Sequence, residues 1–204
     1  MTVFANRVKR VKPSFTLEMT SRAEELRAQG IDVMNFSAGQ PDFNTPENIR
    51  NAAKAALDRG QTKYTAGSGT IELREAVCTK LKRENQLDIF PDQVLISNGE
   101  KQSLYLVCQS LFEKGDEVLI FKPYWVSFPE FVTLADATPV IVETDAKQNF
   151  EPNMKDLKSK ISDRVKGIII NSPSNPTGSV WSNEVIINIL EIAKDNNWVV
   201  ISDE

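Results

Sequence analysis

Four short stretches carry groups suited to gripping a flat, anionic, hydrogen-bonding molecule. The most telling is Asn171-Ser172-Pro173-Ser174-Asn175-Pro176-Thr177-Gly178. Its prolines and closing glycine fix the backbone, so the turn can aim an asparagine amide in one direction. Asp203 follows the apolar run Val199-Val200-Ile201-Ser202. That places a carboxylate at a poorly solvated strand end, where it needs a cation or a donor. Pro123-Tyr124-Trp125 offers an aromatic face that could stack on a planar ring or simply fill the core. Asn98-Gly99-Glu100-Lys101 joins an apolar run to a helical pattern. Glycine there permits close approach, and the first-turn N–H groups can hold a phosphate, although a glycine at such a turn is often purely structural.

These stretches need a scaffold, and helical and extended signals alternate from about residue 46. Asn44-Thr45-Pro46-Glu47 reads as a helix start, with a capping hydroxyl, a first-turn proline and an acid at the positive end of the dipole. Ile49, Ala52, Ala53, Ala56 and Leu57 then recur at helical spacing until Gly60. Further helices are predicted from Thr70, after Gly99, and after Ser182 or Asn183. Between them lie the apolar runs 94–97, 118–121, 139–142, 167–171 and 199–202. Unbroken apolar runs suit strands covered on both faces, so the pattern predicts an open, largely parallel α/β sheet. Residues 144–164 read as a polar connection holding one amphipathic helix. Ligands of such sheets sit beyond the carboxyl ends of the strands, where all four stretches fall.

Composition removes other chemistries from these residues. Histidine is absent, which excludes Ser-His-Asp and Cys-His machinery and His-ligated metals here. The two cysteines, Cys78 and Cys108, fall on separate predicted helices and read as reduced, buried thiols, so no metal site is expected. A net charge of -4 gives no basic surplus for nucleic acid. No apolar run is long enough to span a membrane, and the N-terminus lacks a signal-peptide core, so a cytoplasmic location is expected. No Gly-x-Gly-x-x-Gly or Walker run follows any predicted strand, which argues against a nucleotide-binding domain.

Together, Ser37-Ala38-Gly39-Gln40-Pro41-Asp42-Phe43, Lys63-Tyr64, Leu73-Arg74-Glu75-Ala76, Pro123-Tyr124-Trp125, the Asn171 to Gly178 turn and Ser202-Asp203-Glu204 resemble the class I/II, fold-type-I aminotransferases that use pyridoxal 5'-phosphate. The branch implied is that of aspartate aminotransferase, and the match covers the N-terminal half of such an enzyme. The resemblance implies a three-layer αβα sandwich with a mostly parallel sheet, incomplete here. Residues 1–45 would form an arm and small-domain segment, and 46–204 the first part of the large cofactor-binding domain. It implies that Gly99, Glu100 and Lys101 present main-chain N–H groups to the cofactor phosphate. Trp125 would stack on the ring, Asn175 would donate to its phenolic oxygen through a loop with a cis Asn175-Pro176 bond, and Asp203 would pair with the ring nitrogen. Gly39, Trp125 and Asn175 would meet the substrate. Tyr64 would reach the phosphate of a second subunit, so a homodimer is implied, with amino-acid and 2-oxo-acid substrates.

The sequence departs from that family in two ways. Glu100 puts an anion where small residues are usual, which weakens the phosphate assignment. The Schiff-base lysine, the substrate arginine and a phosphate arginine of the family all lie beyond the position of Glu204. Lys63, Lys101, Lys122 and Lys166 do not occupy matching places, so no catalytic residue is assigned. The expectation is an aminotransferase fragment, inactive alone, with uncovered apolar faces after Asp203. The alternative is a non-catalytic remnant that binds a partner.

Overall fold

The computed structural model describes residues 4–36, 39 and 41–204. The chain divides into two compact units, residues 1–22 with 104–204, and residues 23–103.

The first unit is built on a parallel sheet. Among the described residues it holds the strands β1 (Glu117–Phe121), β2 (Thr138–Val142), β3 (Val165–Asn171) and β4 (Val199–Asp203), in the order β2-β1-β3-β4. Every pairing is parallel, with Ile120 opposite Ile141 and Ile169, and Asn171 opposite Asp203. The runs predicted at 118–121, 139–142, 167–171 and 199–202 are these strands. All five residues of β1 are buried, as expected of a strand covered on both sides.

Alternate residues of the strands feed two apolar clusters. Val118, Ile120, Ile169 and Ile201 pack with Leu104, Cys108, Phe128 and Val132. These belong to α5 (Glu100–Leu111) and α6 (Phe128–Leu134). Leu119, Phe121, Ile168 and Ile170 pack with Leu157, Ile189 and Ala193, from α7 (Met154–Ser159) and α8 (Asn183–Asp195). Helices therefore cover both faces, giving three layers. Gly167 admits the Phe112 ring onto the sheet, since a Cβ there would stand 2.6 Å from the ring and 3.3 Å from the Val199 carbonyl. At the edge of the core, the buried Glu117 carboxylate accepts from Ser162 Oγ at 2.6 Å and pairs with Arg164 at 2.5 Å, which meets its need for partners.

The connection 144–164 carries α7, capped by the Asn153 side chain, and this matches the single amphipathic helix expected there. The short helices α1 (Asn6–Arg10) and α2 (Phe15–Ala28) precede the sheet. Arg10 is bonded to Asp136, and the Lys12 N–H donates to Glu130 at 3.0 Å, tying the N-terminal segment to α6 and the turn after it. The sequence pattern does not predict α6, which spans less than two full turns and is rich in β-branched and aromatic residues.

The second unit holds α3 (Glu47–Asp58) and α4 (Ile71–Asn85). Thr70 Oγ1 accepts the Leu73 N–H at 3.3 Å, the cap predicted for α4. The expected Thr45 cap of α3 is not formed; Pro46 holds the cap position without a side-chain bond. The run at 94–97 is not a strand. Val94 is extended and Ile96 N–H donates to Ser68 O at 3.0 Å, but among the described residues the run joins no sheet. Gly69, at φ +97°, lets Ile96 lie against it. Of the two thiols, Cys108 is fully buried as expected, whereas Cys78 is only half-buried, because the α4 face that carries it is largely open.

Candidate functional site

The parallel sheet brings the carboxyl ends of β1, β3 and β4 to one end of the first unit. Two strand spacings of roughly 4.8 Å separate β1 from β4, so these three strand ends lie within about 10 Å across the sheet. Trp125 lies four residues past β1, Asn175 four past β3, and Asp203 closes β4.

The Trp125 indole is half-buried and held from behind by two edge-to-face contacts. Its ring centroid stands 5.5 Å from that of Phe128 and 5.9 Å from that of Phe131. Because α6 and the sheet fix both phenylalanines, the indole is oriented by the core rather than by a loop.

The turn 171–178 is closed by its own hydrogen bonds. Ser174 N–H donates to Ser179 O at 2.9 Å, and Gly178 N–H, at the left-handed end of the turn, to Ser174 O at 2.7 Å. The Thr177 hydroxyl meets Ser179 Oγ at 2.8 Å, and Ser172 Oγ accepts the Trp181 N–H at 3.0 Å. The Asn175-Pro176 bond is cis, as expected, as are Ser172-Pro173 and Lys122-Pro123. Asn175 itself is exposed.

Asp203 is half-buried beside its register partner. Asn171 Nδ2 donates to Asp203 O at 3.0 Å and to Asp203 Oδ2 at 3.1 Å. Asn171 Oδ1 accepts the Asn175 N–H at 2.7 Å. One amide side chain thus links the carboxylate to the asparagine turn. Sequence reasoning places Asn171 in the turn but gives it no role. The signal was its position at the end of one strand beside another, and only the register turns that position into a contact.

In the second unit, Gly99 adopts φ +77° and α5 starts at Glu100. The loop is braced by Ser97 Oγ against Ser103 Oγ at 2.5 Å and by Gln102 Oε1, which accepts the Asn98 N–H at 2.6 Å. The Gly99 N–H donates to Ser97 O at 2.8 Å, so this amide is engaged inside the turn. Glu100 and Lys101 are exposed. Tyr64 is fully exposed, and so is Gly39, with no atom within 4 Å of where its Cβ would stand. Ser37, Ala38 and Gln40 of the same motif lie outside the described residues.

The donor set of the first unit fits pyridoxal 5'-phosphate. A half-buried carboxylate suits a protonated pyridine nitrogen, an exposed amide suits a phenolic oxygen, and an indole fixed from behind suits a ring face. A cavity of about 640 Å³ in this unit lies elsewhere, between residues 10–15 and the α6 region, and none of Trp125, Asn175 and Asp203 lines it. Its wall mixes apolar groups with Arg10, Lys12 and Glu130, a set without the amide and indole that suit a pyridine ring. Among the described residues no cluster of His, Cys, Asp or Glu is placed to hold a metal, and no helix is long and apolar enough to cross a membrane.

The sequence model for aminotransferase class I and II matches residues 31–204. The chain is 47% identical over 202 residues to the aspartate aminotransferase of Bacillus sp. (strain YM-2), covering 99% of this chain and 52% of that protein. It is 43% identical to a probable aspartate/prephenate aminotransferase of Aquifex aeolicus, over 98% of this chain and 51% of that one. A solved structure of the aspartate aminotransferase from Thermus thermophilus with maleate superposes with a TM-score of 0.96 at 41% identity. It covers 100% of this chain and 53% of its own. The chain therefore spans about half the length of the curated relatives it matches.

Proposed function

Because the chain belongs to the class I and II aminotransferases, we propose that the whole protein moves an amino group from an aspartate-like or aromatic amino acid to a 2-oxo acid, using pyridoxal 5'-phosphate, as a cytoplasmic homodimer. The observation that carries this reading is the placing of Trp125, Asn175 and Asp203 at or just past the ends of β1, β3 and β4, the last two linked through Asn171. In the same reading, residues 1–45 belong to an arm and small-domain segment and 46–204 to the large domain.

When bound, the cofactor supplies a cationic ring that accepts the electrons left when the substrate Cα proton departs. Asp203 would accept the ring N–H and hold the proton there, since a carboxylate beside a pyridine nitrogen favours its cationic form. Asn175 donates its amide to the phenolic oxygen and limits the ring's rotation. Trp125 covers one ring face and excludes water from it. Glu100 and Lys101 offer first-turn amides to the phosphate, with Gly99 setting the turn that presents them. Tyr64 extends toward the phosphate of a partner subunit, which accords with its complete exposure. Gly39 meets the substrate carboxylate through its backbone, beside Trp125 and Asn175. No lysine of residues 1–204 is assigned to carry the Cα proton, so this chain alone is expected to bind cofactor without turnover.

Titrating the chain with pyridoxal 5'-phosphate while following tryptophan fluorescence tests the site. The half-buried Trp125 should be quenched saturably, and Asp203→Asn should weaken that quenching about tenfold, the scale of one hydrogen bond to a charged group. Binding indifferent to position 203 and to Trp125→Phe would sink the assignment. In the whole protein, transfer from aspartate to 2-oxoglutarate, read as keto-acid formation, tests the reaction itself.

A further inference from the structure

We infer that Asn171 is a positioning residue of this site, holding the Asp203 carboxylate and the Asn175 turn in one fixed relation. The inference rests on the reading of Asp203 and Asn175 given above and extends it to a side chain with no assigned contact to cofactor or substrate.

The geometry leaves the amide one orientation. A backbone N–H can only donate, and a carboxylate or carbonyl oxygen can only accept. Asn171 Oδ1 therefore faces the Asn175 N–H at 2.7 Å, and Nδ2 faces Asp203 O and Oδ2 at 3.0 and 3.1 Å. Flipping the amide would set oxygen against two oxygens and NH2 against N–H, losing all three bonds. The backbone supports this arrangement, because Asn171 and Asp203 are direct partners in the parallel pairing of β3 with β4. The side chain starts from a strand end, so its own origin is rigid.

Two consequences follow for a bound ring. The bond to Oδ2 fixes the rotation of the Asp203 carboxylate, which leaves its second oxygen pointing in a set direction. The bond from the Asn175 N–H places the start of the Asn175-Pro176 step, from which the Asn175 amide projects. The separation between the acid under the ring nitrogen and the amide beside the phenolic oxygen is thus set by one side chain. Among natural residues only asparagine supplies an acceptor and a donor at this length. Aspartate keeps the acceptor but opposes a second carboxylate to Asp203, and alanine keeps neither.

The test separates these two halves. In the ligand-free chain, amide hydrogen exchange at Asn175 reads the acceptor half. Asn171→Ala should speed exchange about fivefold, the scale of one neutral hydrogen bond, whereas Asn171→Asp should leave it slow. The donor half is read with pyridoxal 5'-phosphate and its deaza analogue, in which C–H replaces the ring nitrogen. Wild-type chain should prefer the parent compound about tenfold. Both Asn171→Ala and Asn171→Asp should cut that preference at least about threefold while changing the affinity for the analogue much less. Equal losses for both ligands, with the preference intact, would show that Asn171 only supports the fold and would overturn the inference. Unchanged Asn175 exchange in Asn171→Ala would overturn it as well. Asp203→Ala is the control: if wild type shows no preference, or Asp203→Ala retains it, the site reading itself fails. If Asp203→Ala abolishes the preference and Asn171 variants do not, the failure belongs to the positioning role alone.

Discussion

Cys108 is a buried titratable group whose charge state can be set from outside, and it reports on the core that orients Trp125. Its thiol is fully buried on α5 among Leu104, Phe112, Val118 and Phe128. Burial alone pushes its pKa from 9.0 up to about 11, since an apolar surrounding disfavours the thiolate. The folded pKa is therefore above the unfolded one. The stabilisation this provides is complete below pH 9 and is lost as pH rises through the folded value near 11. With those two pKa values the loss is roughly 1 kcal/mol at pH 10 and roughly 2 kcal/mol at pH 11. Urea unfolding of the wild type and of Cys108→Ala at pH 7.5 and pH 10 isolates it. The variant is weaker at neutral pH, by about 1 kcal/mol for the removed buried atom, but its stability should fall less steeply with alkali. The same burial leaves a thiolate fraction of about one part in a thousand at pH 8. A thiol reagent should accordingly label the half-buried Cys78 first and Cys108 only as the chain unfolds. Parallel pH dependence in the two proteins, or labelling of Cys108 at the rate of Cys78, would refute the packing of α5 on this sheet.

Two further substitutions probe the scaffold. Gly167→Ala puts a methyl group 2.6 Å from the Phe112 ring and should cost about 1–3 kcal/mol in urea unfolding. Adding Phe112→Leu should recover part of that loss, because the clash is with the ring; strict additivity of the two would contradict the contact. Thr70→Ala removes the acceptor of the Leu73 N–H and should lower α4 stability by about 1 kcal/mol. Faster amide exchange in the first turn of α4 reads that loss, and Thr70→Ser should largely restore protection.

The strands were legible because four of the five apolar runs are short, unbroken and bounded by turn residues, the pattern of strands buried on both faces. The fifth, at 94–97, carries the same pattern and joins no sheet among the described residues. An apolar run records that a segment wants burial; it does not record whether a neighbouring strand exists. The helices α3, α4, α5 and α8 were legible from spacing and end signals, but the Thr45 hydroxyl did not become the cap. Helix α6 was hidden, since seven residues with Phe128, Pro129 and Val132 show no helical period. Trp125, Asn175 and Asp203 stand out in the sequence by residue type and place in the chain. Asn171 does not, because its contact with Asp203 depends on register, and register depends on how whole strands pack.

The two units also differ in what can hold a side chain still. In the first, both sheet faces are covered, so Trp125 and Asp203 inherit the rigidity of strands packed at interior density. In the second, Ala23 is the one buried residue among those described, and Ile49 and Leu57 on α3 are 53% and 63% exposed. An amphipathic helix draws most of its stability from packing that face, so α4 rests here on local bonds such as the Thr70 cap, and α3 on its own backbone bonds. Gly39, Tyr64 and the backbone of Gly99 to Lys101 belong to this second unit and lack the packing support that Asn175 and Asp203 receive. Asn171 lies wholly within the first unit, and its one amide couples Asp203 to the Asn175 turn through bonds made inside that unit.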